Sequence, residues 1–170
     1  KYVQADENDV FLSVLPPFHV YECTCGFLGP IYLGAEIAFC SGLRHIMRDM
    51  RETGATVMLG VPLIFESMYK KIGRTAAKNG QQKKLRAALA LKRAAALFGV
   101  KLCEKLFAQV REPFGKMRLF ISGAAPIDPE IVRFFCDIGI KMQQGYGMTE
   151  CSPIISLTNF VHIRPRSVGF

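Results

Sequence analysis

No stretch of this 170-residue chain approaches the roughly 20 uncharged apolar residues that a membrane-spanning helix needs, although half of its residues are hydrophobic. The opening residues Lys1-Tyr2-Val3 carry no signal-peptide pattern, and the chain has neither an internal repeat nor a low-complexity linker. Zinc-type spacing is missing as well: of the six cysteines (Cys23, Cys25, Cys40, Cys103, Cys136, Cys151), only Cys23-Thr24-Cys25 is a close pair. Most of them lie inside apolar runs, which predicts reduced, buried thiols of a cytoplasmic protein and excludes a disulfide framework. Acidic residues are few, 14 against 22 Lys and Arg. The apolar content is enough for one domain with a sizeable core and too high for a disordered chain.

The resulting charge of +8 is concentrated in one segment. Between Lys70 and Arg118 stand fourteen Lys and Arg and two acids, Glu104 and Glu112, an excess of twelve that leaves the rest of the chain at −4. Alanine and leucine, not aromatic residues, are interleaved with these cations, so nucleic acid is not the expected partner. Residues 62–113 read as a helical basic insertion. A long helix is predicted from Gln81 to Val110, with Gly99 as a bend and Lys83, Lys84, Arg86, Lys92 and Arg93 on its surface. The plainer reading is a solvated helical hairpin. The sharper one is a surface for anionic phospholipid headgroups or ligand phosphates, which would place the protein peripherally on the inner face of a membrane.

Elsewhere strand and helix patterns alternate. Asp9–Leu15 reads as a strand stopped by Pro16-Pro17, and His19 follows at its carboxyl end, either as a pocket residue or as a hydrogen-bonded core histidine. A buried helix interrupted near Pro30 is predicted over Glu22–Leu33, then a strand over Glu36–Cys40 and an amphipathic helix over Leu43–Glu52. Strands over Thr56–Val61 and Met117–Ser122 follow, with helices starting at Pro62 and, capped by Asp128, at Pro129. The run Ile138–Met142 reads as a last strand emptying into a loop, Gln143-Gln144-Gly145-Tyr146-Gly147-Met148-Thr149-Glu150. The sum is an α/β fold: a layered, mostly parallel β-sheet flanked by helices, read as a single domain over residues 1–170.

That loop gathers an aromatic ring between two glycines, a hydroxyl and a carboxylate. The ring can stack on a base, the hydroxyl can donate to a phosphate oxygen and the carboxylate can hold Mg²⁺, although an ordinary strand-to-loop turn fits the same residues. Gly123-Ala124-Ala125-Pro126, after the fourth strand, is so small that backbone itself must be the contact surface.

Three segments, Val14–Glu22 (VLPPFHVYE), Leu119–Ile131 (LFISGAAPIDPEI) and Gln144–Pro153 (QGYGMTECSP), occur in the order and setting found in adenylate-forming acyl-CoA synthetases. The basic segment resembles that of the long-chain fatty acid ligases. The resemblance covers essentially the whole chain and implies a two-step reaction. A fatty carboxylate attacks the α-phosphorus of ATP to give acyl-AMP and pyrophosphate, and the thiol of coenzyme A then displaces AMP. Both nucleophiles belong to substrates, consistent with a sequence that lacks a Ser-His-Asp or Cys-His set.

By the same resemblance Ser122, Gly123, Ala124 and Ala125 line an adenine pocket completed by Gln144, Gly145, Tyr146, Gly147 and Met148. Thr149 meets the α-phosphate, Glu150 ligates Mg²⁺, and His19 orients the carboxylate in the acyl pocket. The family's phosphate loop, ribose-binding aspartate and C-terminal catalytic lysine have no counterpart in these residues. The chain is therefore expected to be a middle piece of a larger ligase, inactive by itself. The alternatives are a non-catalytic module binding a nucleotide or an anionic membrane, and an adenylation enzyme for another carboxylic acid.

Overall fold

The computed structural model describes residues 3–98 and 104–169. Among them six strands form one sheet in the order β2-β1-β3-β4-β5-β6: β1 (Val10–Ser13), β2 (Glu36–Phe39), β3 (Val57–Gly60), β4 (Leu119–Ser122), β5 (Lys141–Gly147) and β6 (Ile154–Leu157). Strands β1 to β5 pair in parallel and β6 closes the edge antiparallel to β5. This is the mostly parallel layered sheet that the alternating pattern predicts. The chain runs outward from β1 to β2, then returns past β1 to β3, so the loops leaving neighbouring strands diverge at their carboxyl ends and open a crevice there.

Six α-helices accompany the sheet among the described residues: α1 (Gly29–Leu33), α2 (Ile46–Glu52), α3 (Pro62–Lys78), α4 (Gln82–Leu97), α5 (Ala108–Arg111) and α6 (Pro129–Asp137). On one sheet face, Leu12, Met58, Phe120 and Met142 meet Ile46 and Met50 of α2, Phe65, Met68 and Ile72 of α3, and Ile131, Phe134 and Phe135 of α6. Phe65, Phe120 and Phe135 lie at the centre, with ring centroids 5.1 Å apart for Phe65–Phe120 and for Phe120–Phe135. The opposite face is thinner. Phe11, Val57, Leu59, Leu119 and Ile121 pack there with Tyr21 and Leu157.

A buried polar knot ties the amino-terminal ends of β1, β3 and β4. The Asp9 carboxylate accepts from Arg118 Nε at 2.9 Å and from the Thr56 hydroxyl at 2.6 Å. Burial alone would raise the Asp9 carboxyl, but these donors together hold it below the ordinary carboxylate range.

Four local differences from the sequence-based reading have clear causes. The helix predicted over Glu22–Leu33 is a wide-turned π-helix over Glu22–Leu28, which hands over to α1 at Pro30, a residue with no N–H to continue the ladder. Over 81–110 the helix is not continuous: α4 ends at Leu97, where Phe98 leaves helical angles, and helical structure resumes in a 3₁₀ turn, Glu104–Phe107, and α5. Gly99 lies outside the described residues. Part of α4's basic face is not solvated surface either, because Arg93 bonds Glu130 at 2.7 Å and Asp137 at 2.6 Å, and Lys92 donates to the Asp137 carbonyl, all on α6.

The last strand is shifted. Ile138–Ile140 belongs to a helix-ending wrap in which Gly139 (φ +89°) and Ile140 donate to Cys136 and Phe135 carbonyls. β5 then runs from Lys141 through Gly147, so Gln143–Gly147 is strand, not loop. Gln143 and Gln144 pair with Ile121 and Ser122 of β4, and Gly145–Gly147 pair with β6, a strand that the alternating pattern does not predict.

Candidate active site

A cleft of about 230 Å³ opens at the carboxyl ends of β1, β4 and β5. Each wall has a local cause. After β1, Pro16-Pro17 ends the strand, the His19 N–H closes a turn onto the Pro16 carbonyl at 3.0 Å, and helix starts at Val20. His19 is thereby exposed on the cleft, not buried in the core, and its Nδ1 accepts the Tyr21 N–H at 3.1 Å. An accepting Nδ1 places the proton of a neutral imidazole on Nε2, which makes that atom a donor.

The second wall is the turn after β4. Gly123 and Ala124 line the cleft with backbone, and Ala124 adopts φ +73°, a left-handed conformation that costs a non-glycine residue about 1 kcal/mol. Gly123 is small for a reason the sequence does not reveal: a Cβ there would stand 3.1 Å from the Tyr21 ring. Tyr21 is buried, and its hydroxyl donates to the Ile121 carbonyl at 3.2 Å, which fixes the first wall to the second.

The third wall is the end of β5. Tyr146 pairs with Ser156 of β6 and leaves its ring half exposed over the cleft. Beside it the Met148 N–H donates to the Pro153 carbonyl at 2.9 Å, and a 3₁₀ turn over Thr149–Cys151 presents Thr149 to the cleft. Gly147 is required because a Cβ would fall 1.8 Å from the Pro153 carbonyl oxygen.

His19, Gly123, Ala124, Gly145, Tyr146, Gly147, Met148 and Thr149, all singled out in the sequence, therefore line one cleft. Ser122, Ala125, Gln144 and Glu150 are not in its lining. Ser122 is buried, with no hydrogen-bond partner at its hydroxyl among the described residues. Gln144 donates its amide to the Pro165 and Ser167 carbonyls at 3.1 and 3.2 Å, which engages it with the C-terminal segment. Ala125 is exposed, and so is Glu150, on the 3₁₀ turn next to Thr149. Val20, Tyr21, Ile121, Pro153 and Ile154 also line the cleft without having been marked as site residues, although all but Ile154 sit within the quoted motifs.

Behind the first wall Glu22 is buried to 1% exposure. Ser13 donates to its Oε1 at 2.6 Å while Oε2 has no partner among the described residues, and burial pushes this carboxyl above its usual range. Burial, followed by the nearby Glu22 carboxylate, lifts the Cys25 thiol to about 11.

Backbone, a tyrosine ring and a hydroxyl thus line one cleft, with an exposed carboxylate nearby, which are the kinds of group that a purine nucleotide can use. Among the described residues no group of three or more His, Cys, Asp or Glu is placed to hold a metal ion. One exposed carboxylate is nonetheless the donor set that suits Mg²⁺, which takes one or two carboxylates and completes its shell with substrate phosphates and water.

The whole chain, residues 1–170, matches the family described as AMP-binding enzyme. It belongs to that family. Relatives of this AMP-binding chain include peroxisomal long chain acyl-CoA synthetase 6 of Arabidopsis thaliana, 31% identical over 159 residues, which cover 88% of this chain and 22% of that enzyme. Long-chain-fatty-acid–CoA ligase 5 of Rattus norvegicus is 32% identical over 165 residues, 92% of this chain and 24% of that one. The chain thus spans about a quarter of the length of such relatives. A malonyl-CoA ligase, in a ternary product complex with methylmalonyl-CoA and AMP, has a similar fold, with TM-score 0.64 and 23% identity over 99% of this chain and 30% of that one. The N-terminal domain of FACL13 from Mycobacterium tuberculosis gives TM-score 0.62 at 19% identity, covering 94% of this chain and 32% of that chain. Relatives described as peroxisomal and as chloroplastic leave the expected cytoplasmic location without support from kinship. Among the described residues no helix is long and apolar enough to cross a membrane.

Proposed function

We propose that this chain forms the adenine- and magnesium-binding part of a long-chain fatty acid–CoA ligase, which converts a fatty acid and ATP to acyl-AMP and pyrophosphate and passes the acyl group to coenzyme A. The observation that carries the reading is the meeting of Gly123–Ala124, Tyr146, Thr149 and His19 around one cleft, from three separate parts of the chain. The relatives' names support the fatty acyl substrate.

In this reading Tyr146 stacks on the purine and the Gly123–Ala124 backbone holds its other face. Thr149 donates its hydroxyl to the α-phosphate. His19, with its proton on Nε2, holds the fatty carboxylate in line with the phosphorus, so the residues act by positioning two substrates and not by attacking either. A magnesium ion on Glu150 would offset the charge of the separating phosphates. Gln144 acts one layer back, by tying the strand that carries the lining to the C-terminal segment. Residues 62–113 are a helical basic insertion within this domain, and its unpaired lysines are the surface through which the protein would rest on an anionic membrane.

Calorimetry with AMP on wild type and Tyr146→Ala tests the slot. Loss of one stacked ring is expected to weaken binding by about tenfold. AMP binding as tight in Tyr146→Ala as in wild type would remove the assignment. With ATP, Glu150→Ala is expected to abolish the gain in affinity that magnesium gives the wild type.

A further inference from the structure

On the helical face of the sheet α2, α3 and α5 enclose a trough of about 460 Å³ that shares no lining residue with the cleft. Among the described residues four cations and no acid line it: Arg44, Arg48 and Arg51 along α2 and the turn before it, and Lys71 on α3. The spacing of the three arginines, four and then three residues, puts them on one helical side. Two of the four are already engaged. Arg48 is held by Asp49 at 2.8 Å and faces Glu52 at 3.6 Å, and Arg51 faces Glu112 at 3.4 Å. Arg44 and Lys71 have no hydrogen bond or ion pair among the described residues.

A second hollow of about 320 Å³ adjoins the trough, and Arg44, Met47 and Lys71 line both. Apart from Ser67, the rest of its lining is apolar, including Leu43 and Leu63, which are 65% and 70% exposed. A basic chamber and an apolar chamber thus meet at the two unpaired cations. Single exposed leucines are ordinary, but two beside a shared cationic wall form an amphiphilic recess.

We propose that this double recess binds one anionic amphiphile, a single-chain alkyl phosphate taken from solution, with its phosphate between Arg44 and Lys71 and its chain against Met47, Leu43 and Leu63. Free cations bordering a concave polar chamber supply the charge complement, and paired surface cations would not. The recess is concave and bounded by three helices, which suits one molecule, whereas a bilayer surface would favour the outward lysines of α4.

The test is calorimetry of the 170-residue chain with decyl phosphate below its micelle concentration. Arg44→Glu/Lys71→Glu should weaken binding by about tenfold or more, equivalent to about 1.4 kcal/mol. Lys83→Glu/Lys84→Glu, the same charge change on α4 outside the recess, should leave it within about twofold. Thr75→Trp, which fills the polar chamber without changing charge, should also weaken it, and melting curves of each variant without ligand report that the fold is intact. No heat with decyl phosphate, an equal loss in both double variants, or flotation with phosphatidylglycerol vesicles without monomer binding would each overturn the proposal.

Discussion

Gly147→Ala probes the site where β5 and β6 come closest. The added methyl would stand 1.8 Å from the Pro153 carbonyl oxygen and 3.1 Å from the Ile154 Cα, both backbone atoms that cannot rotate away. Pro153 must therefore retreat by roughly 1 Å or more, at an overpacking cost of about 1–3 kcal/mol. The retreat also breaks the Met148–Pro153 hydrogen bond, worth about 1 kcal/mol. The sum is about 2–4 kcal/mol, which lowers the melting temperature of a chain this size by roughly 5–15 °C. Since Pro153 and Ile154 line the cleft, AMP affinity should fall as well. Gly73→Ala is the matched comparison. Gly73 lies inside α3 with nothing within 4 Å of its would-be Cβ, so alanine should raise stability by about 0.5–1 kcal/mol. Thermal unfolding followed by circular dichroism measures both. If the two variants melt within a degree of each other, the close approach of β5 and β6 is not as described.

Arg118→Ala should cost about 2–4 kcal/mol near neutral pH, because it strands the buried Asp9 carboxylate, with some relief from water since Arg118 is a third exposed. Asp9 is held below its ordinary range when folded, so its contribution is complete above that range and is lost as pH falls through the depressed value. The gap between wild type and variant in urea unfolding should accordingly narrow below about pH 4. Alkylation with iodoacetamide at pH 8, read by peptide mass spectrometry, should modify the exposed Cys151 first. It should leave Cys25 slower by roughly a hundredfold, its thiol being half-buried and raised to about 11; equal rates would contradict the packing of the π-helix. The 170-residue chain alone is expected to give no acyl-CoA from palmitate, ATP and coenzyme A, and measurable turnover by that chain would overturn this expectation.

Much of the architecture was legible because it follows from local patterns. Pro16-Pro17 stopped β1, Pro62 and the Asp128-Pro129 cap started helices, and the apolar runs at Val57 and Leu119 announced strands, all without knowledge of what they pack against. The boundaries that failed were set by hydrogen bonds that the apolar pattern does not show, some to the preceding turn and some to distant strands. Ile138–Ile140 looked like strand until the wrap at the end of α6 claimed it, and Gln143–Gly147 looked like loop because Gln143 and Gln144 pair with β4 and Gly145–Gly147 with β6, some ten residues further on. Lys92 and Arg93 read as solvated cations, since nothing in α4 itself reveals Glu130 and Asp137 across the gap.

The site divides in the same way. From the residues alone came the types of group, a ring, a hydroxyl, a carboxylate, an imidazole and stretches of bare backbone, because those chemistries are written in side chains. Only the folded chain decided that His19, Ala124, Tyr146 and Thr149 share one cleft, that Glu150 stands just outside its lining, and that Gln144 is occupied by the C-terminal segment. It also changed the reason for the glycines. At Gly123 and Gly147 the missing side chain makes room for the Tyr21 ring and the Pro153 carbonyl, because the chain must approach itself there, and such contacts between distant segments leave no mark on local sequence.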